Sequence, residues 1–116
     1  MPSKNIVQVK SFDFALSIIE LYKLLIEKRE FVISKQLLRS ATSIGANIEE
    51  ATAALTKRDF AYKMSISSKE AREARYWLRL LQKSQIVEIN VSTHLRNIED
   101  IIRILTAIVK TSQTNT

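Results

Sequence analysis

KQLLRSATSIGANIEEATAAL, residues Lys35 to Leu55, carries apolar side chains at Leu37, Ala41, Ile44, Ile48, Ala51 and Leu55. The intervals are four, three, four, three and four. A half-buried strand repeats every two residues. Alternating fours and threes keep one side of a 3.6-residue helix apolar and form the seam by which antiparallel bundle helices pack. The alanines in the seam permit close helix approach. The spacing predicts a helix over about 35–54, entered through Ser34 as a cap.

The same reading extends to both sides. Upstream, a helix is predicted over about 11–29 with Ser11 as its N-cap. It carries two adjacent apolar stripes, one of Phe12, Ala15, Ile19, Tyr22 and Ile26, the other of Phe14, Ile18, Leu21 and Leu25. Downstream, Thr56-Lys57-Arg58-Asp59 resembles a capping box with aspartate in the glutamate position. A third helix follows over about 57–84, roughly 40 Å long at ~1.5 Å per residue. Its inner stripe is Phe60, Met64, Ser67, Ala71, Ala74, Leu78 and Leu81. Ile86, Val87 and Ile89 are expected to tuck under the bundle end. A fourth helix is predicted over about 91–111, with Leu95, Ile98, Ile102, Leu105 and Val109 beside Ile101, Ile104 and Ile108. The polar tail from Ser112 to Thr116 is expected to fray.

Punctuation of the chain agrees. Glycine occurs once, at Gly45, and proline once, at Pro2, in 116 residues. An all-β chain of this length needs many turns, so the fold class is all-α. Short connections make successive helices antiparallel, giving an up-down-up-down four-helix bundle in a single domain, 1–116. The first and fourth helices carry more apolar surface than one seam requires, which points to a subunit interface.

Eighteen basic residues stand against twelve acidic ones, a formal charge of +6. Such a surface attracts polyanions, chiefly nucleic acid. Cysteine is absent, which excludes disulfides and thiolate metal sites and is compatible with a reducing cytoplasm, the expected location. The opening MPSKNIVQVK lacks the apolar core of a secretory signal, and no apolar run reaches the ~18 residues of a membrane span.

Two segments together carry a family resemblance: KQLLRSATSIGANIEEATAA, Lys35 to Ala54, and KRDFAYKMSISSKEAREARYWLRLLQKS, Lys57 to Ser84. They resemble the bacterial four-helix-bundle family encoded by intervening sequences inside 23S ribosomal RNA genes. That family is similar to the accessory variability proteins of diversity-generating retroelements. Glu49-Glu50-Ala51 departs from the alanine, glutamate and glycine of many relatives, which bears on how the second helix ends. The resemblance implies a four-helix bundle and a ring-like homopentamer. Through the retroelement relatives it implies binding of RNA or DNA and a protein partner such as a reverse transcriptase.

On the third helix, Lys69, Arg72, Arg75, Arg79 and Lys83 recur at three, three, four and four. At ~100° per residue they share an arc of about 120°. Such a ladder can track a phosphate backbone, and Tyr76, inside the arc, can stack on an exposed base. A solvated face with pairs from Arg72 or Arg75 to Glu73 or Asp100 has the same appearance in sequence. Most of the excess charge lies here: Lys57 to Ser84 holds eight basic and three acidic residues, net +5. On the second helix, Gln36, Ser40, Ser43, Asn47 and Glu50 form a polar stripe bordered by Arg39. It reads as a contact surface or a buried network joining Asn47 and Glu50 to Arg39 or to the third helix.

Catalytic types are scarce. His94 is the lone histidine and has no glutamate three residues before it, so the Glu-x-x-His pattern of bundle di-iron sites is missing. His94 is expected at the surface or as a cap. No nucleophile elbow or phosphate loop occurs. The sequence therefore leads to no enzyme, no metal and no cofactor. It leads instead to an oligomeric bundle binding nucleic acid through the third helix, with a protein-interaction scaffold as the alternative.

Overall fold

The computed structural model describes residues 2–114, with side chains described for 6–113. Four helices follow in order: α1 Pro2–Glu27, α2 Ile33–Thr52, α3 Lys57–Ser84 and α4 Ser92–Thr114. Each packs on its chain neighbours, and α1 also meets α4. The ring of contacts closes into an antiparallel four-helix bundle, 46 Å long and about 20 Å across. The pairs α1/α3 and α2/α4 stand diagonally across the axis.

The core is built from the predicted seams. Leu37, Ala41, Ile44, Ile48 and Ala51 of α2 are buried, as are Met64, Ser67, Ala71, Ala74, Leu78 and Leu81 of α3. Ile98, Ile101, Ile102 and Leu105 complete it from α4. Of the two α1 stripes, Phe14, Ile18, Leu21 and Leu25 face inward, while Phe12 is exposed. Leu55 also departs from its expected place: α2 has ended at Thr52, and Leu55 is 96 % exposed. The contact between α2 and α3 is the most extensive. Small side chains bring the two backbones close enough for the Ser67 hydroxyl to donate to the Ile44 carbonyl at 2.9 Å inside the core. Gly45 plays the same part toward α1, since a Cβ there would stand 3.4 Å from Ser11 Oγ.

The caps correct the sequence reading at two places. Helix α1 begins at Pro2 rather than near residue 11, and Ser11 is a buried mid-helix residue donating to the Gln8 carbonyl. Ser34 does not cap α2 either; its hydroxyl donates to the Glu30 carbonyl. The cap is Glu30. Helix α1 ends with Arg29 in the left-handed region, φ 68°, where Glu30 N–H reaches Leu25 O and Arg29 N–H reaches Ile26 O. This is a Schellman-type stop, and it turns the Glu30 carboxylate onto the start of α2. There it accepts from Val32, Ile33 and Ser34 N–H at 3.1, 3.0 and 2.6 Å. Glu30→Ala leaves three donors without that acceptor and is expected to cost about 2–3 kcal/mol, read as a lowered urea midpoint. An unchanged midpoint would show that water replaces the carboxylate at no cost.

Thr56 caps α3 as expected, accepting from Asp59 N–H at 3.0 Å, although among the described residues Asp59 returns no bond. Gln85, φ 50°, stops α3. In the connection Val87 is buried and Ile89 partly so, while Ile86 stays exposed. Asn90 Oδ1 accepts from Ser92 N–H to open α4. Ser112 to Thr114 continue α4 as helix, against the expected fraying, and residues 115–116 lie outside the described part.

Candidate nucleic-acid interface

Four members of the α3 ladder, Lys69, Arg72, Arg79 and Lys83, are exposed, and so is Tyr76. Lys69, Arg79 and Lys83 make no side-chain ion pair or hydrogen bond among the described residues. Arg75 differs. It turns into the α3–α4 seam and pairs with Glu99 at 2.8 Å. Arg72 donates to Thr106 Oγ1 at 3.1 Å, and Gln82 to Ser92 Oγ at 3.3 Å. These contacts meet α4 along Ser92, Glu99 and Thr106, a line of seven-residue steps.

Arg96, Arg103 and Lys110 on α4 also step by seven. At ~100° per residue they stand within about 60° of that contact line, on the side away from Ile98, Ile102 and Leu105. All three are exposed. The cationic surface therefore crosses from α3 onto α4, which the sequence reading missed because α4 was read for its apolar width. Arg103 is tied to Asp100 at 2.6 Å and Arg96 to Thr93 at 3.1 Å, contacts that hold the guanidinium groups at the surface.

The polar stripe of α2 divides in two. Arg39 reaches α3, bonding Glu70 at 3.2 and 3.3 Å and pairing with Glu73. Glu50 pairs with Lys63 of α3. Ser43 donates to the Arg39 carbonyl and Asn47 to the Ser43 carbonyl, both within α2. Gln36 is exposed. These bridges lie at the surface, where solvent screens an ion pair and it adds little to stability. Arg39, and after it the Trp77 indole N–H at 2.9 Å, hold the Glu73 carboxyl below its ordinary value of 4.5.

His94 is neither a surface residue nor a cap. It is half-buried, with a fully buried Nδ1 that has no hydrogen-bond partner. Burial lowers its pKa below 6.5, opposed by a backbone hydrogen bond with Ser17 of α1. The native state therefore binds this proton less readily than the unfolded chain. Stability is expected to fall as pH drops from about 6.5 toward the depressed native value. Glu73 adds a separate loss below 4.5, as acid removes its bond to Arg39. Thermal midpoints of the protein and of His94→Leu between about pH 7 and 5 check the first window. A slope unaltered by the substitution would assign it to other groups.

A groove of about 200 Å³ lies between α1 and α4, lined by Lys10, Asp13, Phe14, Asn97, Asp100 and Ile101. It is open and smaller than the ~300 Å³ at which ligand pockets begin. No group of three or more metal-ligating side chains occurs among the described residues. No helix among them is long and apolar enough to cross a membrane.

The family model described as 23S rRNA-intervening sequence protein matches residues 3–107. The chain belongs to that family. The match covers nearly the whole bundle, as does the resemblance carried by the sequence, which spans about Phe12 to Val109. The structure is also similar to a crystal structure of a protein of unknown function from the S23 ribosomal protein family of Bacteroides thetaiotaomicron VPI-5482. The two share 44% sequence identity with a TM-score of 0.86, over 93% of this chain and 98% of that one. No curated protein matches the chain. Family membership thus fixes the bundle, and the cationic surface has to be interpreted from its own chemistry.

Proposed function

We propose that this intervening-sequence family member is a non-enzymatic, self-associating bundle that binds nucleic acid through the outer faces of α3 and α4. The observation that carries the reading is the separation of charge from apolar surface across the bundle. Helix α3 holds net +5 and α4 three basic against two acidic residues, whereas α1 holds three of each. On α1, Ile6, Val9, Phe12 and Leu16 are 49–65 % exposed. Their three, three, four spacing sets them opposite the α1 core stripe. Helix α1 is diagonal to α3.

An apolar stripe on a soluble helix is covered in the working protein. Copies that associate through α1 leave the α3–α4 surface facing out, and each added copy multiplies the local field and the number of simultaneous phosphate contacts. The resemblance read from Lys35 to Ala54 and Lys57 to Ser84, carried on to retroelement accessory proteins, would make one form of this assembly a basic homopentamer with a polymerase-type protein partner.

The test is light scattering on the purified protein, alone and with a generic RNA, in a salt series. The expected result is an oligomer that takes up RNA at low salt and releases it as salt rises. A monomer indifferent to RNA at low salt refutes the reading.

A further inference from the structure

The outermost surface of α3 carries two parallel rows. One is Tyr62, Lys69, Tyr76 and Lys83; the other is Arg58, Ser65, Arg72 and Arg79. Both step by seven residues, so each drifts only ~20° per step and stays on one side of the helix. The rows are about 40° apart. In the first row aromatic and cationic side chains alternate. Tyr62 is 63 % exposed and Tyr76 55 % exposed, and neither hydroxyl makes a hydrogen bond among the described residues.

Tyr76 is also held in place. Its ring meets Trp77 edge-on, with centroids 5.1 Å apart and planes at 71°. Trp77 is fixed by its N–H bond to Glu73, and Glu73 by Arg39 of α2. An interhelical ion pair thus steadies the indole, and the indole steadies the tyrosine at the surface. A side chain positioned before its ligand arrives loses less rotamer entropy on binding.

From this alternation we infer that the α3 surface selects single-stranded nucleic acid, stacking bases on Tyr62 and Tyr76 while Lys69, Arg72, Arg79 and Lys83 follow the phosphates. The inference deepens the nucleic-acid reading above and rests on it. Every base has a π-face, so such platforms are tolerant of sequence. In a duplex the faces are already stacked on one another and unavailable to a convex helix. Cations alone would serve both forms equally; the tyrosines serve only the unpaired one. The two rings stand ~21 Å apart along the helix, with Lys69 midway. A strand therefore spans several nucleotides between platforms, over a cation.

Fluorescence anisotropy with a labelled oligouridylate of about 20 nucleotides, set against a duplex of equal length, tests this. The protein is expected to bind the single strand more tightly. Tyr62→Ala with Tyr76→Ala is expected to weaken that binding tenfold or more, leave duplex binding alone and preserve the salt slope, because no phosphate contact is removed. Tyr62→Phe with Tyr76→Phe retains the rings and the affinity. Equal affinity for both forms, or unchanged single-strand binding in the double alanine variant, overturns the inference while leaving the nucleic-acid reading intact. Polyglutamate that displaces the strand as well as unlabelled strand does would assign the surface to acidic polypeptides and overturn it too. Binding of neither form removes both readings.

Discussion

Arg72→Glu combined with Arg79→Glu is expected to weaken RNA binding by about two orders of magnitude and to flatten its salt dependence. Each phosphate contact contributes roughly 0.7–0.9 to the slope of log affinity against log salt, so losing two lowers the slope by about 1.5. Charge reversal adds repulsion from the same two points. Both residues are exposed, and the hydrogen bond sacrificed among the described residues is that of Arg72 with Thr106. The bundle is therefore expected to keep its helicity and unfolding midpoint. Arg75→Gln is the companion variant. Its guanidinium is engaged by Glu99 in the seam, so it is expected to lose little affinity and at most about 1 kcal/mol of stability. Isotherms at several salt concentrations, with circular dichroism on each variant, distinguish the outcomes. A double variant that binds like the original would remove α3 from the interface.

The second large effect concerns two leucines of identical chemistry. Leu78→Ala is expected to destabilise the bundle by about 2–5 kcal/mol, because the side chain is wholly buried in the C-terminal half of α3 and its removal leaves a cavity. Against the ~5–15 kcal/mol by which domains of this kind are stable, that is a large fraction. Leu55→Ala is expected to change stability by no more than about 0.5 kcal/mol, since Leu55 is almost fully exposed. Urea denaturation at constant slope gives both numbers. Comparable losses at the two sites would mean that Leu55 is covered in solution, which would extend the proposed self-association surface to the α2–α3 turn.

Leu55 also shows where periodicity stops being informative. The seam of α2 was legible because the members from Leu37 to Ala51 share one face of the helix, and that whole face is buried. The pattern continues to Leu55 on paper, but the helix ends at Thr52, and nothing in a spacing rule marks that end. Caps were legible where a residue type that favours the N-cap supplies the acceptor, as from Thr56 to Asp59 N–H. Ahead of α2 the bonds are equally local, but the acceptor is a glutamate of the turn, a residue type that does not mark a cap. Ser34 has the composition of a cap, yet Glu30 occupies that place because the left-handed turn at Arg29 delivers its carboxylate there. The cations of α3 were visible in sequence as a ladder. Which of them pairs was not, because the Glu99 partner of Arg75 lies on another helix, as do the Glu70 and Glu73 partners of Arg39. The same holds for Arg96, Arg103 and Lys110, whose nearness to α3 depends on the register of two antiparallel helices.

The unequal seams of the bundle also set the order in which native structure gives way. Proteins open in cooperative units, beginning where contacts are fewest. Helices α2 and α3, locked by small side chains and by the Ser67 to Ile44 bond, form the persistent hairpin. Helix α1 meets α4 across the least extensive contact, beside an open groove and an unsatisfied histidine nitrogen. Local unfolding is therefore expected to begin by detachment of α1, the helix that carries the exposed apolar stripe. If the proposed association through α1 covers that stripe with another copy, it closes the bundle's weakest seam from outside, and resistance to local unfolding is then expected to rise with protein concentration.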